Sequence, residues 1–259
     1  VARPNLLVLV AEDQGYGDLS AMGHPVLRTP HLAALKAESL WLCRFYTAPL
    51  CAPSRAQLMT GRHNFRTGVW DTWNSRSNLA ADERTLPELL ARAGYRTGVF
   101  GKWHLGENFP FRPQDRGFER TFIWNNFDRM APTFARVGET VGPLREFLDD
   151  AVVDEAVRFL HEGAAGPFFA YVPLWMPHTH WQKQVPDEFV APYRHIPGLT
   201  PTEGPALGRS SLGRAGPVHL SAATASAIGH AAMLRGECGG DRAALQAGLP
   251  SHGCSTGVV

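Results

Sequence analysis

Five consecutive apolar residues, Leu6 to Val10, stand between Pro4 and the acidic pair Glu12-Asp13. So short a run, without a polar interruption, predicts a central strand buried on both faces. Thr29-Pro30 predicts a helix with Thr29 as N-cap and proline at its first position, running to about Glu38. Pro53 predicts the start of a second helix through Ala56 to Thr60, stopped by Gly61. Thr85-Leu86-Pro87-Glu88 has the spacing of a capping box, opening a helix over Leu89 to Ala93 that Gly94 closes. Thr97 to Phe100 reads as the next short strand. Leu144, Phe147, Leu148, Ala151, Val152, Phe159 and Leu160 recur at helical spacing, which predicts an amphipathic helix over 144–161. Pro167 and the apolar run Phe168 to Val172 predict a further strand.

Strands that alternate with helices imply an α/β fold, a mostly parallel sheet with helices on both faces. In such sheets ligands bind at the carboxyl ends of the strands. The residues able to do chemistry follow strands or open a helix: Glu12-Asp13, Cys51 to Arg55, Lys102 to His104, and His178. After Tyr193 the pattern ends. No Phe, Trp, Tyr or Lys follows it, and twelve of the 26 glycines do. A segment this poor in large side chains buries little surface. The expected organisation is therefore a folded part, residues 1–195, and an atypical, poorly ordered tail, residues 196–259.

Composition narrows the function. A 44% hydrophobic and 19% charged share is that of a globular protein. A formal net charge of +1 gives no long-range field for nucleic acid or an anionic membrane, so neither is an expected partner. No apolar run is long enough to span a bilayer. Val1 is not followed by a charged and then an apolar segment, so no signal peptide is expected within this chain. The four cysteines, at 43, 51, 238 and 254, fit neither a disulfide scaffold nor a zinc pattern. Cys43 is expected to be a buried apolar thiol.

Cys51 has different neighbours. In Cys51-Ala52-Pro53-Ser54-Arg55, continuing to Thr60-Gly61-Arg62, the proline places position 51 at a helix mouth, where unpaired N–H groups and the dipole favour anions. Arg55, one turn on, can aim a guanidinium at an oxyanion. Lys102 and His104 are two apart and would project to one side of an extended segment, pairing a cation with an imidazole. Glu12 and Asp13 are hard oxygen donors suited to Ca²⁺ or Mg²⁺. Asp18 reads as a turn or cap residue, and His24, His31, His63 and His161 as packing or surface histidines.

These segments resemble those of the type I sulfatases, formylglycine-dependent members of the alkaline-phosphatase-like superfamily. Cys51 to Arg62 resembles the C-x-P-S-R…T-G-R pattern. Gly94-Tyr95-Arg96-Thr97 through Gly101-Lys102-Trp103-His104-Leu105-Gly106 resembles G-Y-x-T-x-x-x-G-K-W-H-L-G. Pro177-His178-Thr179-His180 is similar to P-H-x-P, with His180 in place of proline, and Glu12 stands where the family usually has aspartate. The likeness covers residues 3 to about 195. It implies the fold of the family's N-terminal part, with the C-terminal part missing or replaced, because no D-H-G or D-N-G segment appears after 195.

The resemblance implies that Cys51 is oxidised to formylglycine by a formylglycine-generating enzyme, and that its hydrate attacks sulfur. It implies a divalent cation, Ca²⁺ by analogy, on Glu12, Asp13 and residue 51. Arg55 and Lys102 would neutralise charge, His178 would protonate the leaving atom, and His104 would help expel sulfate. Sulfated carbohydrates are the implied substrates, and a periplasmic, secreted or lysosomal location the implied setting. A phosphatase or phosphonate monoester hydrolase on the same fold, and an inactive truncated fragment, are the alternatives.

Overall fold

The computed structural model of the chain describes residues 3–73, 75–124, 134–136, 139–141, 147–162, 166–178, 185–195 and 257–258. The chain divides into two compact units. One holds Val1–Val10, Ser39–Trp175 and Ser251–Val259, the other Ala11–Glu38 and Met176–Pro250.

The first unit is built on a seven-stranded sheet. Its strands in chain order are β1 (Leu6–Val10), β2 (Arg96–Gly101), β3 (Arg120–Trp124), β4 (Phe134–Arg136), β5 (Glu139–Val141), β6 (Phe168–Pro173) and β7 (Gly257–Val258). The spatial order is β5-β4-β3-β2-β6-β1-β7. β7, β1, β6, β2 and β3 pair in parallel, and β3-β4-β5 adds an antiparallel edge. Helices α2 (Cys51–Thr60), α3 (Leu86–Arg92) and α4 (Leu148–His161) accompany it.

Strand alternation sorts these helices onto two faces. Val99, Phe169 and Tyr171 enter one core with Ala52, Ala56 and Met59 of α2, against which Leu86 and Leu90 of α3 pack. Phe100 and Phe168 point the other way and meet Phe159 of α4, with ring centroids 5.3 and 6.2 Å apart. The expected parallel sheet covered on both faces is therefore the observed one. Its middle is held by β2 and β6, which are buried from their second residues on. β1, expected to be buried on both faces, is only half-buried throughout, because its neighbours are β6 and the two-residue β7.

Helix boundaries follow their capping chemistry. α3 has both bonds of the capping box, Glu88 N to Thr85 Oγ1 and Thr85 N to Glu88 Oε2 at 3.4 and 2.8 Å. α4 begins at Leu148, later than the sequence pattern suggests, because Phe147 is an extended N-cap; Leu144 lies outside the described residues. α2 begins at Cys51, two residues before the expected proline start. Pro53 is its third residue, where a missing N–H costs nothing because the first intrahelical bond is Ser54 N to Leu50 O, 3.1 Å. Cys43 is exposed, not buried as expected, in an exposed stretch that leads into α2. β3, β4 and β5 were not legible as strands, since neither alternation nor a continuous apolar run marks 120–141.

The second unit contains α1 (Pro30–Ala37), the short α5 (Asp187–Val190) and a small core of Leu27 and Tyr193, against which Val26 and Phe189 pack. Thr29 does not cap α1 as expected. Its buried hydroxyl instead accepts from Ser20 N at 2.9 Å and bonds Ser20 Oγ. The expected tail of 196–259 lies outside the described residues, except for the two residues of β7.

Candidate active site

In the first unit the site is assembled at the start of α2 and the end of β2. Cys51 is the first residue of α2, and its N–H and that of Ala52 precede the first intrahelical bond. These groups and the helix dipole make the position favourable for an anion. Ser54 Oγ donates to the carbonyls of Ala48 and Leu50, both at 2.8 Å, and so fixes how the chain enters the helix.

β2 ends at Gly101, whose φ of +121° and close approach to β6 leave no room for a side chain. A Cβ there would lie 2.0 Å from the Pro173 carbonyl oxygen. Lys102 keeps the ladder going for one more bond, its N–H to Pro173 O at 2.9 Å. The backbone then turns, and His104 adopts φ +59°, a left-handed conformation that costs a non-glycine residue free energy. The two-residue spacing of an extended segment is thus not what orients Lys102 and His104. The left-handed turn is.

That turn brings His104 Nδ1 to 3.3 Å from Cys51 Sγ. On the far side of the ring, Nε2 lies 3.3 Å from the carbonyl oxygen of Thr72. A carbonyl can only accept, so this contact places the proton of the neutral ring on Nε2 and leaves Nδ1 as the acceptor facing residue 51. The Lys102 ammonium is buried, 4.8 Å from the centroid of the Trp175 ring. The Trp175 backbone is held there, its main-chain N–H donating to the buried carboxylate of Asp149 in the first turn of α4 at 2.9 Å. Arg55 is buried too. Its Nη1 donates to the Lys102 carbonyl at 2.7 Å and to the Tyr171 hydroxyl at 3.0 Å, tying α2 to the end of β2 and to β6.

In the second unit, Glu12 is buried and its N–H donates to Met176 O at 3.0 Å. Asp13 is its opposite, with a side chain 58% exposed and φ +54°. His178 Nε2 stands 3.7 Å from Asp13 Oδ2, and His180 lies outside the described residues. Asp18 is a turn residue as expected, its carboxylate accepting from Gly15 N at 3.0 Å. Adjacent carboxylates fit a hard cation such as Ca²⁺ or Mg²⁺ in kind. They fall short in number of the roughly six to eight oxygens Ca²⁺ takes, and among the described residues no group of three His, Cys, Asp or Glu side chains converges.

Three supporting residues were not singled out in the sequence: Thr72, Tyr171 and Trp175. Tyr171 carried a faint signal, a hydroxyl inside an otherwise apolar strand. Nothing local marks the other two.

Cys51 at a helix mouth with the His104 imidazole beside it is an arrangement suited to an anion. Comparison with known proteins is more specific. Residues 4–203 match the family described as Sulfatase, and the chain belongs to that family. It is 42% identical over 209 residues to N-acetylgalactosamine-6-sulfatase of Canis lupus familiaris, covering 68% of this chain and 40% of that protein. It is 47% identical over 123 residues to arylsulfatase A of Bos taurus, covering 45% of this chain and 24% of the relative. Among solved structures, BT4656 in complex with its substrate D-glucosamine-2-N,6-O-disulfate superposes with a TM-score of 0.66 at 26% identity, over 77% of this chain and 39% of that one. The chain thus spans between a quarter and two fifths of the length of these curated relatives.

Proposed function

We propose that residues 1–195 are the N-terminal part of a sulfatase catalytic domain that hydrolyses sulfate esters or sulfamates, those of sulfated carbohydrates in particular, with Cys51 converted to formylglycine. The observation that carries this reading is the 3.3 Å approach of His104 Nδ1 to Cys51 Sγ at the first residue of a helix. The sulfur atom stands in for the oxygen that the aldehyde would carry, so the contact supports a role for His104 as proton acceptor to residue 51. Family membership supports the remainder, including the assignment of Glu12, Asp13 and His178 to the same substrate.

The chemistry supplied from outside the encoded side chains is a hydrated aldehyde as nucleophile and a divalent cation that polarises sulfate oxygens. Glu12 and Asp13 would hold that cation. The side chains do the rest. His104, its Nε2 proton engaged by Thr72, keeps Nδ1 available to take a proton from residue 51 when sulfate is expelled. Lys102 and Arg55 present fixed positive charge in a setting shielded from water, where it stabilises developing negative charge best. His178 supplies the proton to the leaving oxygen or nitrogen.

The family supports a location in the periplasm, outside the cell or in the lysosome, and a formylglycine-generating enzyme as the modifying partner. Among the described residues no helix is long and apolar enough to cross a membrane.

The deciding measurement is the intact mass of the peptide 44–62, together with turnover of aryl sulfate, phosphate and phosphonate esters. An aldehyde at position 51 and preference for sulfate are expected. An unmodified cysteine in an active protein, or phosphate turnover well above sulfate, would overturn the proposal.

A further inference from the structure

We propose that Trp70 to Trp73, with Arg76, form a carbohydrate-binding platform in which Trp73 stacks on a pyranose ring of the substrate. This deepens the reading above and rests on it. The loop is short and closed on itself: Trp70 N donates to Arg76 O at 3.1 Å, and Arg76 N to Trp73 O at 3.0 Å. It is also braced from within. Asp71 accepts from Thr72 N at 2.7 Å and from Arg76 Nη1 at 3.3 Å, and the Arg76 guanidinium lies 4.5 Å from the Trp70 ring centroid. A loop so constrained presents its side chains with little ordering cost on binding.

Two indoles on this loop remain exposed, Trp70 at 48% and Trp73 at 58%. Two exposed aromatics so close together on one short segment offer a contiguous apolar surface of the kind that binding sites use. The position of the loop says what would bind. The Thr72 carbonyl that contacts His104 Nε2 at 3.3 Å belongs to the residue directly before Trp73. The platform is therefore one residue from the group that orients the candidate catalytic histidine.

A pyranose suits the surface, because its axial C–H bonds form an apolar face that meets the electron-rich face of an indole. Arg76, its guanidinium over the Trp70 ring and one nitrogen on Asp71, keeps further N–H donors at the platform's edge for a second sulfate or a carboxylate on the same glycan. A lone aryl sulfate is too small to need the platform. Trp73 is thus a specificity residue and not a catalytic one.

The test is Trp73→Ala in the full chain bearing the aldehyde, with Trp73→Phe as the conservative variant and thermal unfolding as the check on folding. Kinetics are measured on p-nitrophenyl sulfate and on heparan sulfate and chondroitin 6-sulfate tetrasaccharides. For Trp73→Ala, kcat/KM on a tetrasaccharide should fall about tenfold through KM. Aryl sulfate turnover should stay unchanged, and Trp73→Phe should recover most of the loss. Equal losses on both substrate types would reduce Trp73 to a support for the Thr72–His104 contact and overturn the proposal. So would unchanged kinetics on every substrate.

A binding arm separates this proposal from the catalytic one. Tetrasaccharide binding to Cys51→Ala is followed by isothermal titration calorimetry, with and without Trp73→Ala. Binding that depends on Trp73, in a protein whose parent turns over no sulfate ester, would retain the platform and remove the sulfatase reading. Binding to neither tetrasaccharide, or binding indifferent to Trp73, would remove the platform.

Discussion

His104 and Asp13 share a feature that bears on their roles: both are non-glycine residues in the left-handed region, at φ +59° and +54°. Such a conformation costs roughly 1–3 kcal/mol and persists only where the surroundings enforce it. For His104 the enforcing contacts are Cys51 on one ring nitrogen and Thr72 on the other. Asparagine tolerates this φ while β-branched residues do not. His104→Asn should therefore unfold near the parent's temperature and lose about a hundredfold or more in kcat on an aryl sulfate. His104→Val should lose the same activity and about 1–3 kcal/mol of stability besides. Thermal unfolding with steady-state kinetics checks the pair. Two variants of equal stability would show that the backbone turn is not strained.

The elements meet at points that tolerate no added atom. β2 and β6 approach so closely at Gly101 that a methyl group would overlap the Pro173 carbonyl. Gly101→Ala should cost about 3 kcal/mol or more, since both φ +121° and the overlap oppose it. Urea unfolding measures it, and a loss below about 1 kcal/mol would mean that the strands slide apart freely. The single-turn helix Pro113–Arg116 offers a pH test. Asp115 accepts two bonds from Arg112, both at 2.8 Å, and this partner holds its carboxyl below the usual 3.8. A carboxyl whose folded value is depressed stabilises the fold above its unfolded value and loses that contribution as pH falls through the folded one. Asp115→Asn should thus be less stable than the parent at pH 7, with the difference shrinking below pH 3.8. A gap that persists at pH 2 would point to packing instead of charge.

At the scale of the whole molecule, the prediction concerns the cation. If Glu12 and Asp13 hold one, Ca²⁺ should raise the unfolding temperature, by about 2.7 kcal/mol in free energy when free ion reaches a hundred times Kd. Glu12→Gln and Asp13→Asn should abolish that shift. A parent protein indifferent to millimolar Ca²⁺ and Mg²⁺ would remove both residues from the metal assignment. By itself the sequence determined a good deal: the parallel α/β core, helix α2 with its Gly61 stop, helix α3 with its Thr85 cap, and the position of Cys51 at a helix mouth. These follow from local rules, in which apolar runs, prolines and caps act within a few residues of where they stand. It did not determine that His104 reaches Cys51 by a left-handed turn, that Arg55 bonds Tyr171, or that Lys102 rests on Trp175. The partners in those three contacts lie 53, 116 and 73 residues apart in the chain. No local signal spans such distances. Only the sheet, by setting the ends of β2 and β6 side by side with the start of α2, brought them within reach.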